Sequence, residues 1–329
     1  MSYTSTNTFP QGTAISSVKN LVELLGYVKN RDRYSIPERV GCYFWLADFP
    51  DISFVGVELS IYKNDNIIRV ETRTRVGRSY WDLIQQNKTI KYLHDYLGGS
   101  FETDEGKNRY LYCDEIEPSR LESGLYLSRW IFHNALITPQ IHLDNRSLQG
   151  DMAREKPTGF DWMDKINPRF FSNSINIPYI LGAWEEYLRA SFVIFLRYTN
   201  CNPKVYKILR VRPEDIIDVL KHGQRLENQL ANSLSFQRPS IIDANFKAIN
   251  EKIDIAGCLR KPYKRRKRTL YDYIDDIVDE RNLLVHTATT NRIITDNELK
   301  TMLTDFEAAA DRIYALFGTL YGFTPSREF

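Results

Sequence analysis

One short stretch of the sequence, ERNLLVHTATT at residues 280–290, holds side chains suited to chemistry on an anionic group. Arg281, Asn282 and His286 follow one another there in the pattern R-N-x-x-x-H. Arginine keeps its positive charge and can donate two parallel hydrogen bonds to phosphate oxygens. Histidine exchanges protons near neutral pH. Together these residue types can bind a phosphate, orient it and move protons at it.

The hydrophobic periodicity predicts that the motif lies near the end of a helix over residues 269–286. At about 100° per residue, with Leu270 at zero, the apolar residues fall within about 80° of one direction; they are Ile274, Ile277, Val278, Leu284, Val285 and Ala288. Arg281 lies inside this apolar stripe, at about 20°. A guanidinium there needs an acidic or phosphate partner, unless the stripe opens to solvent at that point. Asn282 and His286 share the edge of the stripe, so a ligand in a cleft beside it could contact all three.

The motif also has a purely structural interpretation. Arg281 would then form a salt bridge, with Glu185 as the carboxylate that orients it. His286 would be a helix-end residue that the helix dipole favours. Matches as short as this one arise often by accident, so the surrounding sequence has to decide between the two interpretations.

The surrounding sequence is a helical C-terminal half whose first helix contains AWEEYLR and whose penultimate long helix ends in R-N-x-x-x-H. Over roughly residues 175–322 it resembles the HEPN superfamily, the higher eukaryote and prokaryote nucleotide-binding domains. The resemblance implies a metal-independent endoribonuclease, often a toxin or antiviral effector, without a cofactor. It implies that Arg281, Asn282 and His286 are catalytic and act while an RNA 2′-hydroxyl attacks the adjacent phosphate. It also implies a homodimer in which two motifs meet, with an antitoxin or another regulatory partner.

An alternative from a different class stays open. The same bundle could be a non-catalytic helical module that binds a nucleotide, an RNA or a protein partner. Such a module should tolerate the loss of His286 in every assay.

A dense basic run leads into the motif helix. In LRKPYKRRKR, seven of the nine residues from 260 to 268 are cationic: Arg260, Lys261, Lys264, Arg265, Arg266, Lys267 and Arg268. Such a run is typical of a surface that follows RNA phosphates without reading the sequence. The alternatives are a solvated loop, or a local balance against the acidic residues that follow between Asp272 and Glu280.

The first half of the chain is predicted to be α+β. FVGVELSIY and IIRVETRTRV alternate with period two around KNDN and predict a β-hairpin, with Arg69, Glu71, Arg73 and Arg75 on one face. Helices are expected at about 15–30, 80–97 and 119–137, and a strand at RYLYC, residues 109–113.

The second half is predicted to be an all-α antiparallel bundle. Its helices are expected at 178–199, from Pro213, at about 243–251 and 269–286, and from about 296 to just before Gly322. Residues 1–150 form the α+β domain of this interpretation, 151–174 an ordered connector and 175–329 the bundle. The role predicted for the α+β domain is to sense, bind or restrain.

Composition sets outer limits on the function. The chain has 329 residues and a net charge of +2, so a basic surface has to come from local clustering. Its four cysteines lie far apart, which argues against a structural zinc site or a disulfide framework. The N-terminus lacks a basic segment followed by an apolar core. These features predict a soluble, cytoplasmic protein that uses no metal.

Overall fold

The computed structural model describes residues 2–30, 36–46, 52–53, 55–64, 66–113, 116–149, 153–201, 205, 213–222, 225–290 and 292–326. The chain forms two compact units, Met1–Ser123 and Gly124–Phe329. Within the described residues, no helix is both long enough and apolar enough to cross a lipid bilayer. The predicted fold class is confirmed: an antiparallel sheet with helices precedes a helical C-terminal region.

The N-terminal unit is built on one antiparallel sheet. Its strands are β1 (Tyr3–Thr8), β2 (Val28–Lys29), β3 (Arg39–Trp45), β4 (Val57–Asn64), β5 (Ile67–Thr74), β6 (Ser100–Thr103) and β7 (Gly106–Lys107). They lie in the order β2-β3-β4-β5-β1-β6-β7. Two helices, α1 (Ile15–Leu24) and α2 (Tyr80–Leu97), complete the described secondary structure up to residue 107.

The predicted hairpin is confirmed as β4 and β5, which pair in antiparallel register. Val57, Leu59 and Ile61 face a core that includes Val18 of α1 and Leu93 of α2. Because side chains alternate along a strand, the charged positions of β5 lie on the opposite face. The helix expected over 15–30 is shorter, since the chain turns at Gly26, where φ is 87°, and enters β2.

The strand predicted at residues 109–113 is not formed. Instead, Asn87 of α2 takes the place of a neighbouring strand for this segment. Its amide oxygen accepts from the Leu111 backbone N–H at 2.9 Å, and its amide nitrogen donates to the Leu111 carbonyl at 2.8 Å. These two bonds satisfy the Leu111 backbone without a ladder.

Helix α3 (Arg120–Gln149) runs well beyond the predicted end at residue 137 and passes through Pro139. A proline inside a helix leaves the carbonyl four residues earlier without its usual donor. Here that carbonyl belongs to Ala135, and the Tyr179 hydroxyl donates to it at 3.1 Å. The compact units divide after residue 123, so most of α3 belongs to the C-terminal unit. The sequence-based expectation was that the α+β domain extends to residue 150.

The remaining helices form the C-terminal unit. They are α4 (Asp161–Lys165), α5 (Pro168–Tyr198), α6 (Pro213–His222), α7 (Leu226–Asn232), α8 (Pro239–Ile249), α9 (Ile255–Arg260), α10 (Leu270–Thr287) and α11 (Asp296–Tyr321). Helix α5 begins at Pro168, not at Pro178 as predicted, because the Asn167 side chain caps it by accepting from the Arg169 N–H. Residues 161–165 and 168–174, expected to be connector, are therefore helical.

The core of this unit lies along α5. Its predicted stripe is confirmed, since Ile180, Trp184, Leu188, Ser191 and Phe195 are all fully buried. The Trp184 ring packs edge-on against Phe306 of α11, with centroids 5.5 Å apart. Contacts of this kind fix α5 against α11.

A buried polar cluster lies at the start of α11; Arg146, Arg169, Asn173 and Asp296 are called here the Asp296 cluster. Asp296 Oδ2 accepts from Arg169 Nε at 3.0 Å, and its Oδ1 accepts from Asn173 Nδ2 at 2.8 Å and from Arg146 Nη1 at 3.4 Å. Burial raises the pKa of Asp296, but the bonds from Arg169 and Asn173 outweigh it, so this pKa lies below its ordinary value. The cluster connects α3, α5 and α11.

Candidate active site

Helix α10 carries the motif, and local sequence explains where it begins. The Thr269 hydroxyl accepts from the Asp272 backbone N–H at 3.2 Å, and the Asp272 carboxylate accepts from the Thr269 backbone N–H at 3.4 Å. This capping box satisfies two otherwise unpaired N–H groups. Further along, Arg238 at the start of α8 forms ion pairs with Asp275, at 2.9 Å, and with Asp279. The first half of α10 is therefore held in place.

The apolar stripe of α10 opens to solvent in the second half of the helix. Val278 is 1% exposed, whereas Val285, two turns later on the same stripe, is 52% exposed. Arg281 lies between them and is half-buried. The guanidinium thus lies where the helix leaves the core. This agrees with the second option given by the sequence, in which the apolar stripe opens to solvent at Arg281.

Arg281 has no carboxylate partner within the described residues. Its Nη1 donates to the Asn282 side-chain oxygen at 3.1 Å. Its Nε is buried and has no hydrogen-bond partner. The structure contains no ion pair between Arg281 and Glu185 in the part of the chain it describes, so no contact supports the orienting role predicted for Glu185. A half-buried cation with an unused donor is suited to an anionic ligand.

His286 lies in the last turn of α10 and is exposed. The helix ends at Ala288, where φ is 54° and the backbone N–H bonds to the Leu284 carbonyl at 2.9 Å. In helix geometry, Arg281 and His286 are about 140° apart and about 7.5 Å apart along the axis. Asn282 is only about 40° from His286, and it is bonded to Arg281. Asn282 therefore lies between Arg281, to which it is bonded, and the side of the helix that carries His286.

The basic run is fastened to the neighbouring helices by about half of its cations. Arg266 forms an ion pair with the fully buried Asp305 of α11, and Lys264 lies 4.0 Å from the same carboxylate. Arg268 pairs with Asp276, as the local-balance alternative anticipated. The Arg260 guanidinium lies 4.1 Å from the centre of the Tyr271 ring. These four side chains connect the run to α10 and α11.

Lys261, Arg265 and Lys267, called here the exposed trio, are the cations of the run left for a ligand. All three are exposed, and within the described residues their side chains make no ion pair or hydrogen bond. The run precedes the first residue of α10, whereas His286 is next to its last residue. Because a helix rises about 1.5 Å per residue, the two features lie roughly 25 Å apart along one chain.

Two clefts that were not predicted from the sequence share Phe171 of α5, and the smaller one lies beside the exposed end of α10. A small cleft of about 110 Å³ is lined by Leu284, Ile293 and Phe171, among others. A larger groove of about 560 Å³ between α3 and α5 is lined by Phe171, Ile175 and Tyr179. Phe171 lines both, and it is 56% exposed. An apolar surface therefore runs from α5 to the motif helix.

The residues that position the site were also not predicted from the sequence. Arg238 and Asp305 lie far along the chain from the groups they bind. For Arg238, the spacing of Asp275 and Asp279 was a usable signal, because residues four apart on a helix can share one partner. For Asp305 the sequence held no such signal, because at 100° per residue this position lies about 100° from the centre of the apolar stripe of α11.

A comparison with protein families finds a match that covers α4 to α11. The model of the RiboL-PSP-HEPN family matches residues 152–318. No curated protein and no solved structure matches the chain significantly. The match confirms the HEPN resemblance and begins earlier than residue 175, the start expected from the sequence, while the N-terminal unit remains unassigned. Through its C-terminal helical domain, the chain belongs to the RiboL-PSP-HEPN family.

Proposed function

We propose that this protein is a metal-independent endoribonuclease of the toxin or antiviral-defence type that acts in the cytoplasm. One observation carries the proposal: Arg281 is half-buried, bonded to Asn282 and without a carboxylate within the described residues. A structural arginine at such a position would be expected to have an acidic partner. An RNA phosphate would supply the missing negative charge.

The reaction requires only proton transfer and charge stabilisation, because RNA contains its own nucleophile. The 2′-hydroxyl oxygen attacks the adjacent phosphorus and loses its proton, and the bond from phosphorus to the 5′-oxygen breaks. The products carry a 2′,3′-cyclic phosphate and a free 5′-hydroxyl. His286 would accept the first proton or donate one to the leaving oxygen, while Arg281 binds the non-bridging oxygens as charge builds up on them.

Asn282 has a defined part in this scheme. Its side-chain oxygen accepts from Arg281 and so restrains the guanidinium. The amide N–H groups remain available as donors to a phosphate oxygen on the side that His286 shares. Loss of Asn282 should therefore reduce cleavage less than loss of Arg281 or His286.

A homodimer forms part of the proposal. One chain offers a single R-N-x-x-x-H, whereas the reaction uses one proton acceptor and one proton donor. A two-fold dimer would bring both copies of His286 into one cleft. The apolar surface formed by Phe171, Ile175 and Tyr179 supports this, because these side chains are exposed and Phe171 also lines the cleft that Leu284 of the motif helix borders. A stable interface should bury more than about 1,000 Å².

Cleavage can be tested with the purified full-length chain, single-stranded RNA and EDTA. We expect Arg281→Ala and His286→Ala each to abolish cleavage while the helical circular dichroism is unchanged. Thr287→Ala is the matched control, since Thr287 is exposed on the same helix turn. Full activity of the His286→Ala protein, or complete inhibition of the wild type by EDTA, would refute the assignment.

The dimer can be tested through its exposed apolar side chains. Phe171→Glu with Ile175→Glu should yield a monomer in sedimentation experiments and remove cleavage, without loss of the fold. Leu220→Glu is the control, because Leu220 on α6 is also apolar and is 78% exposed. A wild-type protein that sediments as a monomer at micromolar concentration while it cleaves RNA would contradict the dimer.

One observation favours the alternative, a non-catalytic module that binds a nucleotide, an RNA or a protein. A catalytic histidine is usually oriented by a third group, and within the described residues the His286 ring has no hydrogen bond. In this case wild type and His286→Ala would bind RNA equally well and leave it intact. An antitoxin or other regulatory partner fits either function and could bind at the N-terminal unit.

A further inference from the structure

The N-terminal sheet carries a groove of about 450 Å³ on the face opposite to α1 and α2. Thr4 and Thr6 of β1 and Ser60 of β4 contribute short hydroxyl side chains to it. Longer side chains stand at its two ends, with Arg39 at one and Arg73 at the other. The groove exists because short residues alternate with long ones on neighbouring strands.

Strand β5 places charges along this groove. Arg69, Glu71 and Arg73 lie at alternate positions and therefore face the same side. Within the described residues none of the three forms an ion pair, and Arg75 pairs instead with Glu58. With that pair neutral, β5 contributes two arginines and one glutamate to this face, so the charge that the strand places along the groove is positive.

The glutamate is central and surrounded by hydroxyls. In the sheet register, Glu71 lies opposite Thr6 on one side and opposite Ser60 on the other. A carboxylate accepts two hydrogen bonds side by side but donates none when ionised. A ligand of this groove therefore has to present adjacent N–H donors at its centre and an anionic group at an end.

The spacing limits the size of the ligand. Arg39 lies opposite Tyr62, and Tyr62 lies opposite Arg69, so Arg39 and Arg73 are two strands and four residues apart. From sheet geometry their Cα atoms are roughly 16 Å apart. Tyr62 adds an aromatic face at the Arg39 end. The volume lies within the range of small-molecule sites, about 300–1,000 Å³.

We propose that this groove binds a guanine mononucleotide. Guanine presents two neighbouring N–H donors, N1–H and the N2 amino group, and these match the Glu71 carboxylate. The phosphate would bind an arginine at one end of the groove, and Tyr62 offers a ring for stacking. Adenine lacks this donor pair, and an extended RNA strand would bring repeated phosphates past Glu71. The site lies within the N-terminal unit and does not depend on the ribonuclease activity proposed above.

The test is calorimetric titration of the full-length chain with guanosine 5′-monophosphate, adenosine 5′-monophosphate, guanosine and inorganic phosphate. We expect saturable binding of the guanine nucleotide, at least tenfold tighter than the other three ligands. Equal affinity for phosphate alone would identify a simple anion site and overturn the proposal. Absence of binding by the guanine nucleotide, or binding of RNA oligomers alone, would also overturn it.

Two substitutions test recognition of the phosphate and recognition of the base separately. Arg73→Gln should reduce the affinity for the nucleotide toward that for guanosine, and Glu71→Gln should abolish the preference for guanine over adenine. The matched controls are Lys91→Gln and Asp95→Asn, which remove the same charges from exposed positions on α2, on the other face of the sheet. If Arg73→Gln and Glu71→Gln bind as tightly and as selectively as these controls, the groove is not the site.

Discussion

The exposed trio should set the salt dependence of RNA binding. Lys261, Arg265 and Lys267 make no ion pair within the described residues, whereas Lys264, Arg266 and Arg268 contact carboxylates. Replacing the trio by glutamine should therefore remove about three phosphate contacts. For a single strand each contact contributes about 0.7 to the slope of log K against log salt concentration, so the slope should become shallower by about 2.

That difference is large enough to measure. Between 50 and 200 mM salt, a slope difference of about 2 means that wild-type affinity should fall roughly 16-fold more than that of the variant. Fluorescence anisotropy of a labelled single-stranded RNA would report it, with His286→Ala in both proteins to prevent cleavage. A triple control, Lys156→Gln with Lys221→Gln and Lys252→Gln, removes the same net charge from exposed positions elsewhere. An unchanged slope in the trio variant, or an equal change in the control, would refute the reasoning.

Three further predictions concern assembly and stability. Mixing Arg281→Ala with His286→Ala protein should restore part of the cleavage, if each dimer holds one composite site; no recovery after subunit exchange would contradict that arrangement. Asp296→Ala should lower the free energy of unfolding by about 3 kcal/mol in urea titrations, because it removes the carboxylate between two buried arginines; a loss below about 1 kcal/mol would show that the cluster contributes little. Asp164 and Asp296 both have lowered pKa values, the first through hydrogen bonds from Thr158 and the second through those that outweigh its burial. Both carboxylates should therefore stabilise the fold fully above the unfolded-state pKa, near 3.9. This stabilisation should disappear as the pH falls through their lower folded-state pKa values. An Asp296→Asn protein with an unchanged acid-unfolding midpoint would argue against it.

Periodicity was enough to predict those elements in which one face is buried and the other is exposed. The β4–β5 hairpin and the α5 stripe were predicted for this reason. Apolar residues recur at every second position in the strands and at every third or fourth position in the helix, and this spacing can be read from the sequence. Arg281 was identified in the same way, as a charge inside an apolar stripe. The structure then decided which of two options applied, since the exposure of Val285 shows that the stripe opens there.

Two of the errors occurred where a distant side chain satisfies a backbone group. Pro139 does not end α3, because the Tyr179 hydroxyl supplies the donor that the Ala135 carbonyl would otherwise lack. Residues 109–113 do not form a strand, because Asn87 satisfies the Leu111 backbone. No local pattern encodes such a bond, since the two partners are tens of residues apart. Local propensity therefore gave the wrong element in both places.

The distribution of carboxylates in the C-terminal unit bears on function more directly than the motif itself. Several arginines there have carboxylate partners: Arg129 with Glu307 and Asp311, Arg146 and Arg169 with Asp296, Arg238 with Asp275 and Asp279, and Arg266 with Asp305. Arg281 is half-buried like some of these, yet the described residues give it only an amide oxygen. A cation left without a carboxylate in part-buried surroundings destabilises the fold. The simplest explanation for such a residue is a ligand that supplies the negative charge. An RNA phosphate suits the guanidinium of Arg281 and also the imidazole of His286, one helix turn after Asn282.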